Sequence, residues 1–415
     1  MLTSQSVQAE PRRKRPLSFA FLSSIVSLLA VFVASSAPIP LYNSYREEDG
    51  LTNADISLAI VVYGVSVLAA LLFAGRISNH LGRRATAMGS LILLIAGCAL
   101  FLDVHEARTL LIARALMGLG AGIASSNLTA YSVDAAPAKT SALAAIASSQ
   151  LPMLGLAMGA VLSGGLVELG FAPRQLSYIL SGVMLAASVV LIALSPETVP
   201  RKPGFLRSLR PTLRIPARLL RLLPVTTAVY LATWATGAFF QAFVPALVSD
   251  ELHTRSPLVL GLVFASYMAS SAVGAALSTR MAPAAAQRVG MLAFLAGMIG
   301  IVSAIITGAL PVFIIATIVA GTSQGVAISA ATRALLADAL LSERAPILSV
   351  IYLVSYTATV LPSLLAGQLS NVLTLPQIAV GYGILAAAAT LVTLIAAENP
   401  VPLRAGQGRF DSPSM

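Results

Sequence analysis

The chain has 415 residues, 57% of them hydrophobic and only 10% charged, with a mean hydropathy of +0.87. Soluble domains carry about 25% charged residues, so this composition excludes a water-solvated globular protein and points to one solvated by lipid. The net charge of +10 does not make a nucleic-acid-binding face, because the basic residues fall in short clusters between apolar runs, where they set membrane orientation.

Twelve spans are predicted, over 17–38, 55–75, 85–104, 108–131, 141–168, 176–196, 223–249, 257–279, 288–308, 311–333, 345–371 and 376–397. Each reaches the roughly 20 residues that a bilayer core requires. All are expected to be α-helical, since a segment in lipid has to satisfy its own backbone hydrogen bonds, and none alternates like a barrel strand. The first span follows Arg12, Arg13, Lys14 and Arg15 and ends near ASSAP at 34–38, which resembles a cleavable signal peptide. Removing it would leave eleven spans and spoil the repeat described below, so it is read as a membrane helix. The single cysteine, Cys98, lies inside an apolar run; it allows no internal disulfide and is read as a small buried hydrophobe.

Orientation follows from the 26 lysines and arginines. Arg46, Arg108, Arg174 and Arg255 fall in the loops of one side and Arg114 lies inside a span. All the others fall in the tails and loops of the other side, which is therefore expected to be cytoplasmic, with both termini there. The chain also repeats itself. Tyr63, Arg76 and Arg84 recur as Tyr267, Arg280 and Arg288 at a shift of 204, and Gly122 recurs as Gly325 at a shift of 203. Asp134 and Asp338 stand in equivalent short turns. The expected organisation is a cytoplasmic tail 1–16, a six-helix bundle 17–196, a basic linker 197–222, a second six-helix bundle 223–397 and a cytoplasmic tail 398–415. Parallel repeats of this kind are a transporter architecture. The linker segment 206–222, with arginines among leucines, is expected either to lie on the anionic inner leaflet or to run as a solvated connection.

The loop Gly75–Arg84, GRISNHLGRR, follows the second span. It resembles the signature loop of the major facilitator superfamily, G-x-L-a-D-r-x-G-R-R/K, at Gly75, Ile77, Gly82, Arg83 and Arg84, with Asn79 where the family usually has aspartate. Arg114-x-x-x-Gly118-x-Gly120-x-Gly122 resembles the family's fourth-helix motif. Gly155 to Gly165 resembles its antiporter motif, with Ala160 in place of the proline; the repeat-equivalent position is Pro362. Gly118, Gly120, Gly122, Gly155 and Gly159 are expected to let helices approach closely.

The resemblance implies twelve helices in two pseudo-symmetric bundles, an all-α membrane fold. It also implies that the signature loop clamps the bundles together on the inside. Asn79 carries no charge, so Asp134 pairing with Arg83 or Arg76, and Asp338 pairing with Arg280 or Arg288, are expected to replace the family's charge. A role for these arginines in topology alone is the alternative. The family ties an arginine like Arg114 to proton transfer. Its bland alternative is a structural arginine bonded to backbone carbonyls or to an acid such as Asp55 or Glu168. A charge inside a span usually faces the bundle interior or a watery cavity. Spans one, four, seven and ten line the pore in the family. The candidate cavity is therefore Tyr63, Asn127, Gln150, Tyr230, Trp234, Gln241, Tyr267, Gln324, Tyr352 and Tyr356, neutral groups suited to a partly apolar molecule. Tyr42, beside Asn43, reads as an interfacial residue.

None of the sixteen acids lies deep in a span. His80, His105 and His253 sit in separate loops, so no zinc spacing arises, and there is no GxxxxGK[ST] loop for a nucleotide. The expectation is a monomeric, cofactor-free secondary transporter in a bacterial inner membrane, not an enzyme. Its expected partners are the lipid bilayer, a small-molecule substrate and protons, with no nucleic acid. Proton-coupled export of a small amphipathic compound is the leading reading. Uptake of a sugar or organic acid by symport or uniport, and a non-transporting receptor or scaffold, are the alternatives.

Overall fold

Apolar side chains on every face of a segment leave a helix as the only way to satisfy its backbone in lipid. The computed structural model describes residues 16–137, 141–204, 209, 213, 215–337 and 339–400, and among them it holds twelve helices long and apolar enough to cross a membrane and no strand. They are α1 Leu17–Ser36, α2 Asn53–Ala69, α3 Arg83–Phe101, α4 Ala107–Ala135, α5 Ser141–Glu168 and α6 Leu176–Ala193. After the linker come α7 Leu223–Ala242, α8 Pro257–Ser278, α9 Pro283–Thr307, α10 Leu310–Leu336, α11 Leu341–Leu369 and α12 Leu375–Ala396. Asp338, both tails before residue 16 and after residue 400, and much of the 206–222 segment lie outside the described residues.

Local chemistry sets the helix ends. Thr52 and Asp55 form a capping box at the start of α2, Thr374 and Gln377 do so for α12, and Ser256 caps α8, satisfying amides that have no partner within the helix. Gly308, with φ at +68°, closes α9.

Two helices break where the sequence reading ran them straight or stopped them. α1 ends at Ser36, turns through Ile39–Leu41 and resumes as a helical segment, Tyr42–Asp49. Pro38 and Pro40 supply no amide hydrogen, so the helical ladder cannot continue through them. The predicted span 223–249 likewise divides at Phe243, ahead of Pro245, and resumes as Val244–Asp250. α2 also departs from regularity: its last turn, Ala70–Ala74, is a π-helix.

The first six helices contact one another, as do the last six, and the two sets meet chiefly along α5 against α8 and α2 against α11. The α5–α8 crossing is close because Gly164 faces the Pro257 carbonyl and Gly261 faces the Ala160 carbonyl. Ala160, at the place of the family's proline, thus lies in a backbone-to-backbone contact. Asn43 Nδ2 donates to the Pro245 carbonyl at 2.9 Å, Arg46 pairs with Asp250 at 3.0 Å, Ser57 Oγ donates to the Ser363 carbonyl at 2.6 Å, and Ser256 Oγ donates to Glu168 at 2.8 Å. All four links lie at the end of the bundle opposite the 75–84 loop.

Candidate functional site

Residues from other parts of the chain hold the signature loop. Gly82 has φ at +92°, a region where only glycine is unstrained, and a Cβ there would strike the Glu197 carboxylate. That carboxylate caps α3, accepting from the Arg83 amide at 2.7 Å and the Arg84 amide at 3.1 Å. Negative charge at a helix N-terminus is stabilising. Arg83 Nε pairs with Asp134 at 2.8 Å and its NH1 donates to Ser78 Oγ at 2.6 Å. Residues after α6 strap the loop from outside: the Lys202 amide donates to the His80 carbonyl at 2.9 Å, and Tyr131 Oη donates to the Pro196 carbonyl at 2.5 Å. Gly75, whose place in the signature loop suggests a tight glycine turn at the membrane surface, has φ at −57°. It makes no glycine turn, and a Cβ would instead meet the Leu71 carbonyl at 2.5 Å. Asn79 is exposed within the short helix Ser78–Leu81. In the second repeat, Arg288 donates to the Ala397 carbonyl at 2.8 Å.

Arg114 is fully buried. Its NH1 donates to the Ser35 carbonyl at 2.9 Å and its NH2 donates to Tyr42 Oη. The guanidinium lies 5.4 Å from the Tyr42 ring centre, 5.5 Å from that of Tyr63 and 5.8 Å from that of Phe101, an aromatic cage for a cation. Among the described residues no salt bridge reaches it. The acids considered from sequence are engaged elsewhere: Asp55 in its own capping box, Glu168 with Ser256. Tyr42 is therefore not an interfacial residue; it is wholly buried as the partner of Arg114.

The glycines of α4 face two ways. Gly118 and Gly122 set a Cβ against the Tyr63 and Val67 carbonyls of α2, and Gly120 sets one against Ser90 of α3. Gly155 and Gly159 bring α5 onto α1 at Leu29–Val33.

Five of the candidate cavity residues gather midway along α2, α7 and α11. Trp234 meets Tyr356 edge-on at 5.2 Å and lies 6.4 Å from Tyr230. A Cβ at Gly64, the residue after Tyr63, would lie 3.9 Å from Tyr356 Cδ1, and Tyr352 stands one turn before Tyr356 on α11. Tyr230 Oη shares a hydrogen with Thr332 Oγ1 at 2.6 Å. Among the described residues the indole Nε1 of Trp234 is buried without a partner, an unused donor of the kind a ligand acceptor would satisfy.

Two others do not belong there. Asn127 donates to the Arg83 carbonyl at 2.8 Å and so supports the signature loop. Tyr267 stacks on Phe240 at 4.2 Å and donates to the Thr233 carbonyl at 3.3 Å, fully buried inside the last six helices. Gln324 is also buried, whereas Gln150 and Gln241 are half-buried. Sequence reasoning missed Glu197 and the Arg46–Asp250 pair. The pair was findable, because its members stand at the same shift of 204 as the other repeats, with opposite charge.

The human organic anion transporter MFSD10 (TETRAN) has a similar fold, with a TM-score of 0.62 over 92% of this chain and all of that one, at 15% identity. Among sequences, the multidrug resistance protein MdtL of Klebsiella pneumoniae is 27% identical over 160 residues, 37% of this chain and 39% of that protein. The quinolone resistance protein NorA of Staphylococcus aureus is 24% identical over 167 residues, 40% of this chain and 43% of that protein. The chain thus matches less than half the length of these curated relatives. The family model of the Major Facilitator Superfamily matches residues 19–361. Twelve apolar helices, two bundle-like sets and a family match over most of its length make this chain a member of the major facilitator superfamily.

Proposed function

We propose that this protein is a secondary active transporter that exports a small amphipathic compound by alternating access, driven by inward proton movement. The observation that carries the reading is the aromatic cluster of Tyr63, Tyr230, Trp234, Tyr352 and Tyr356. It sits where helices of the two sets meet and offers an unpartnered indole N–H. Rings stack on a partly apolar molecule and the N–H orients an acceptor on it. The similarity to MdtL and NorA, proteins named for drug resistance, supports the export direction.

The end carrying the basic loops is cytoplasmic in this reading, as the positive-inside rule requires, and the membrane is a bacterial inner membrane. The structure is then closed on the outside. The protein acts as a monomer. Arg114 bonds the Ser35 carbonyl and Tyr42, so its part in coupling is to hold the shape of the first helix beside the fourth.

Trp234→Ala is expected to raise the KM for export about tenfold, the combined scale of one aromatic contact and one hydrogen bond. Trp234→Phe, which keeps the ring and loses the N–H, should fall between. Unchanged KM in Trp234→Ala, measured as efflux from loaded cells, would move the binding site elsewhere.

A further inference from the structure

We propose that His105 is a proton-binding site, and that its proton ties the Tyr42–Asp49 segment to the turn between α3 and α4. The site lies at the end of the bundle opposite the signature loop, the end that faces outward in the orientation proposed above.

The placement of the ring carries the inference. His105 stands between two carboxylates: Nδ1 lies 2.8 Å from Asp49 Oδ1, and Nε2 lies 3.2 Å from Asp103 Oδ1. A neutral imidazole has one N–H and one lone pair. Whichever tautomer forms, one nitrogen turns its lone pair on a carboxylate. The imidazolium presents an N–H to each. The full set of contacts therefore belongs to the protonated ring. The proton comes from water and returns to it, and no bond other than N–H forms or breaks.

The surrounding charges favour that proton. Arg174, in the turn between α5 and α6, pairs with Asp49 at 2.5 Å and with Glu48 at 2.9 Å. With a neutral ring, the carboxylates of Glu48, Asp49 and Asp103 face one guanidinium in this network; a proton on the ring supplies a second cation. Of the other charged groups on these elements, Arg46 is engaged with Asp250, and Glu47, Glu106 and Arg108 are exposed. Tyr45 and Tyr178 share a hydrogen at 2.7 Å, with the Arg174 guanidinium over the Tyr45 ring. The His105 side chain is 67% exposed and that of Asp49 only 6%, so water reaches the ring while the carboxylate it holds is sheltered.

Arg174 makes the fixed tie among these three elements, since it also donates to the Val104 carbonyl at 2.5 Å. His105 adds a conditional one. Histidine changes charge between about pH 5 and 8, where arginine keeps its own. The second tie is complete at the acid end of that range and is lost as the pH rises through it. At the repeat shift of 204, Ala309 stands in the place of His105, so this tie belongs to the first six helices alone.

The test is hydrogen exchange of the full chain in mild detergent, read by mass over residues 42–49 and corrected for intrinsic rates. It compares about pH 5.5 with about pH 8, the span over which histidine titrates. The sequence has three histidines, so His80→Gln with His253→Gln leaves His105 as the one that titrates. In that background the segment should exchange about threefold more slowly at the lower pH, the scale of an exposed ion pair. Adding His105→Gln should abolish the difference, because an amide does not titrate. Adding Asp103→Asn instead should shrink it, because an asparagine amide can donate to the lone pair of a neutral ring. Equal exchange at the two pH values in the background, or a difference that survives His105→Gln, would overturn the proposal. Where His105→Gln does not assemble, a difference unchanged by Asp103→Asn would overturn it. These readouts involve no substrate, no proton-driven transport and no membrane orientation, so this proposal and the proposed function stand or fall separately.

Discussion

Arg114→Ala is expected to reduce transport at least about hundredfold while the protein still reaches the membrane. The side chain is fully buried and bonds Ser35 and Tyr42 while lying against three aromatic rings. Its removal leaves a buried carbonyl and a buried hydroxyl unsatisfied, at about 1–3 kcal/mol each. Each 1.36 kcal/mol corresponds to about tenfold in a rate. The twelve helices do not depend on it, since each satisfies its own backbone. Arg114→Lys keeps the charge but not the fork that spans two acceptors, and should lie between alanine and the parent. Transport assays with membrane quantitation decide the matter; near-parental transport in Arg114→Ala would make this arginine dispensable.

Gly325→Val should prevent assembly instead. A Cβ at Gly325 falls on the Ser271 carbonyl, one at Gly274 falls on the Thr322 carbonyl, and one at Gly321 falls on the Tyr267 carbonyl. α8 and α10 therefore touch backbone to backbone along a ladder of three glycines, and at Gly325 and Gly274 every atom nearest the added Cβ is main chain. Overpacking a core costs about 1–3 kcal/mol even where neighbours can adjust, and here the neighbour is main chain. The yield of monodisperse protein in mild detergent should fall severalfold. Gly182→Ala, at a glycine with open space around it, should match the parent. Equal yields for the two variants would contradict a backbone-to-backbone contact between α8 and α10.

Membrane helices are legible in sequence because lipid imposes a single rule on every residue of a span. That is why the twelve spans follow from hydropathy alone. What escaped was long-range pairing. Pro38, Pro40 and Pro245 mark the breaks in α1 and α7, yet nothing local says that Tyr42 and Asn43 fold inward after them. Tyr42 looked interfacial because it stands between an apolar run and a charged one; its partner is 72 residues away. Asn127 and Tyr267 sit on helices that border the bundle axis, but which face of a helix points inward is set by neighbours. The hydrophobic signal, uniform around each helix, does not report it. Glu197 was hidden for a different reason: it reads as linker, and only the fold places its carboxylate at the start of α3.

Proton-coupled export through the aromatic cluster is the function proposed for this protein. Its most direct test uses inside-out vesicles with an acidified lumen and a pH-reporting dye, to which amphipathic aromatic compounds are added from outside. Protons should leave the lumen on addition of a transported compound, and none should leave with Arg114→Ala. A compound that accumulates in the vesicles by counterflow without moving protons would contradict it.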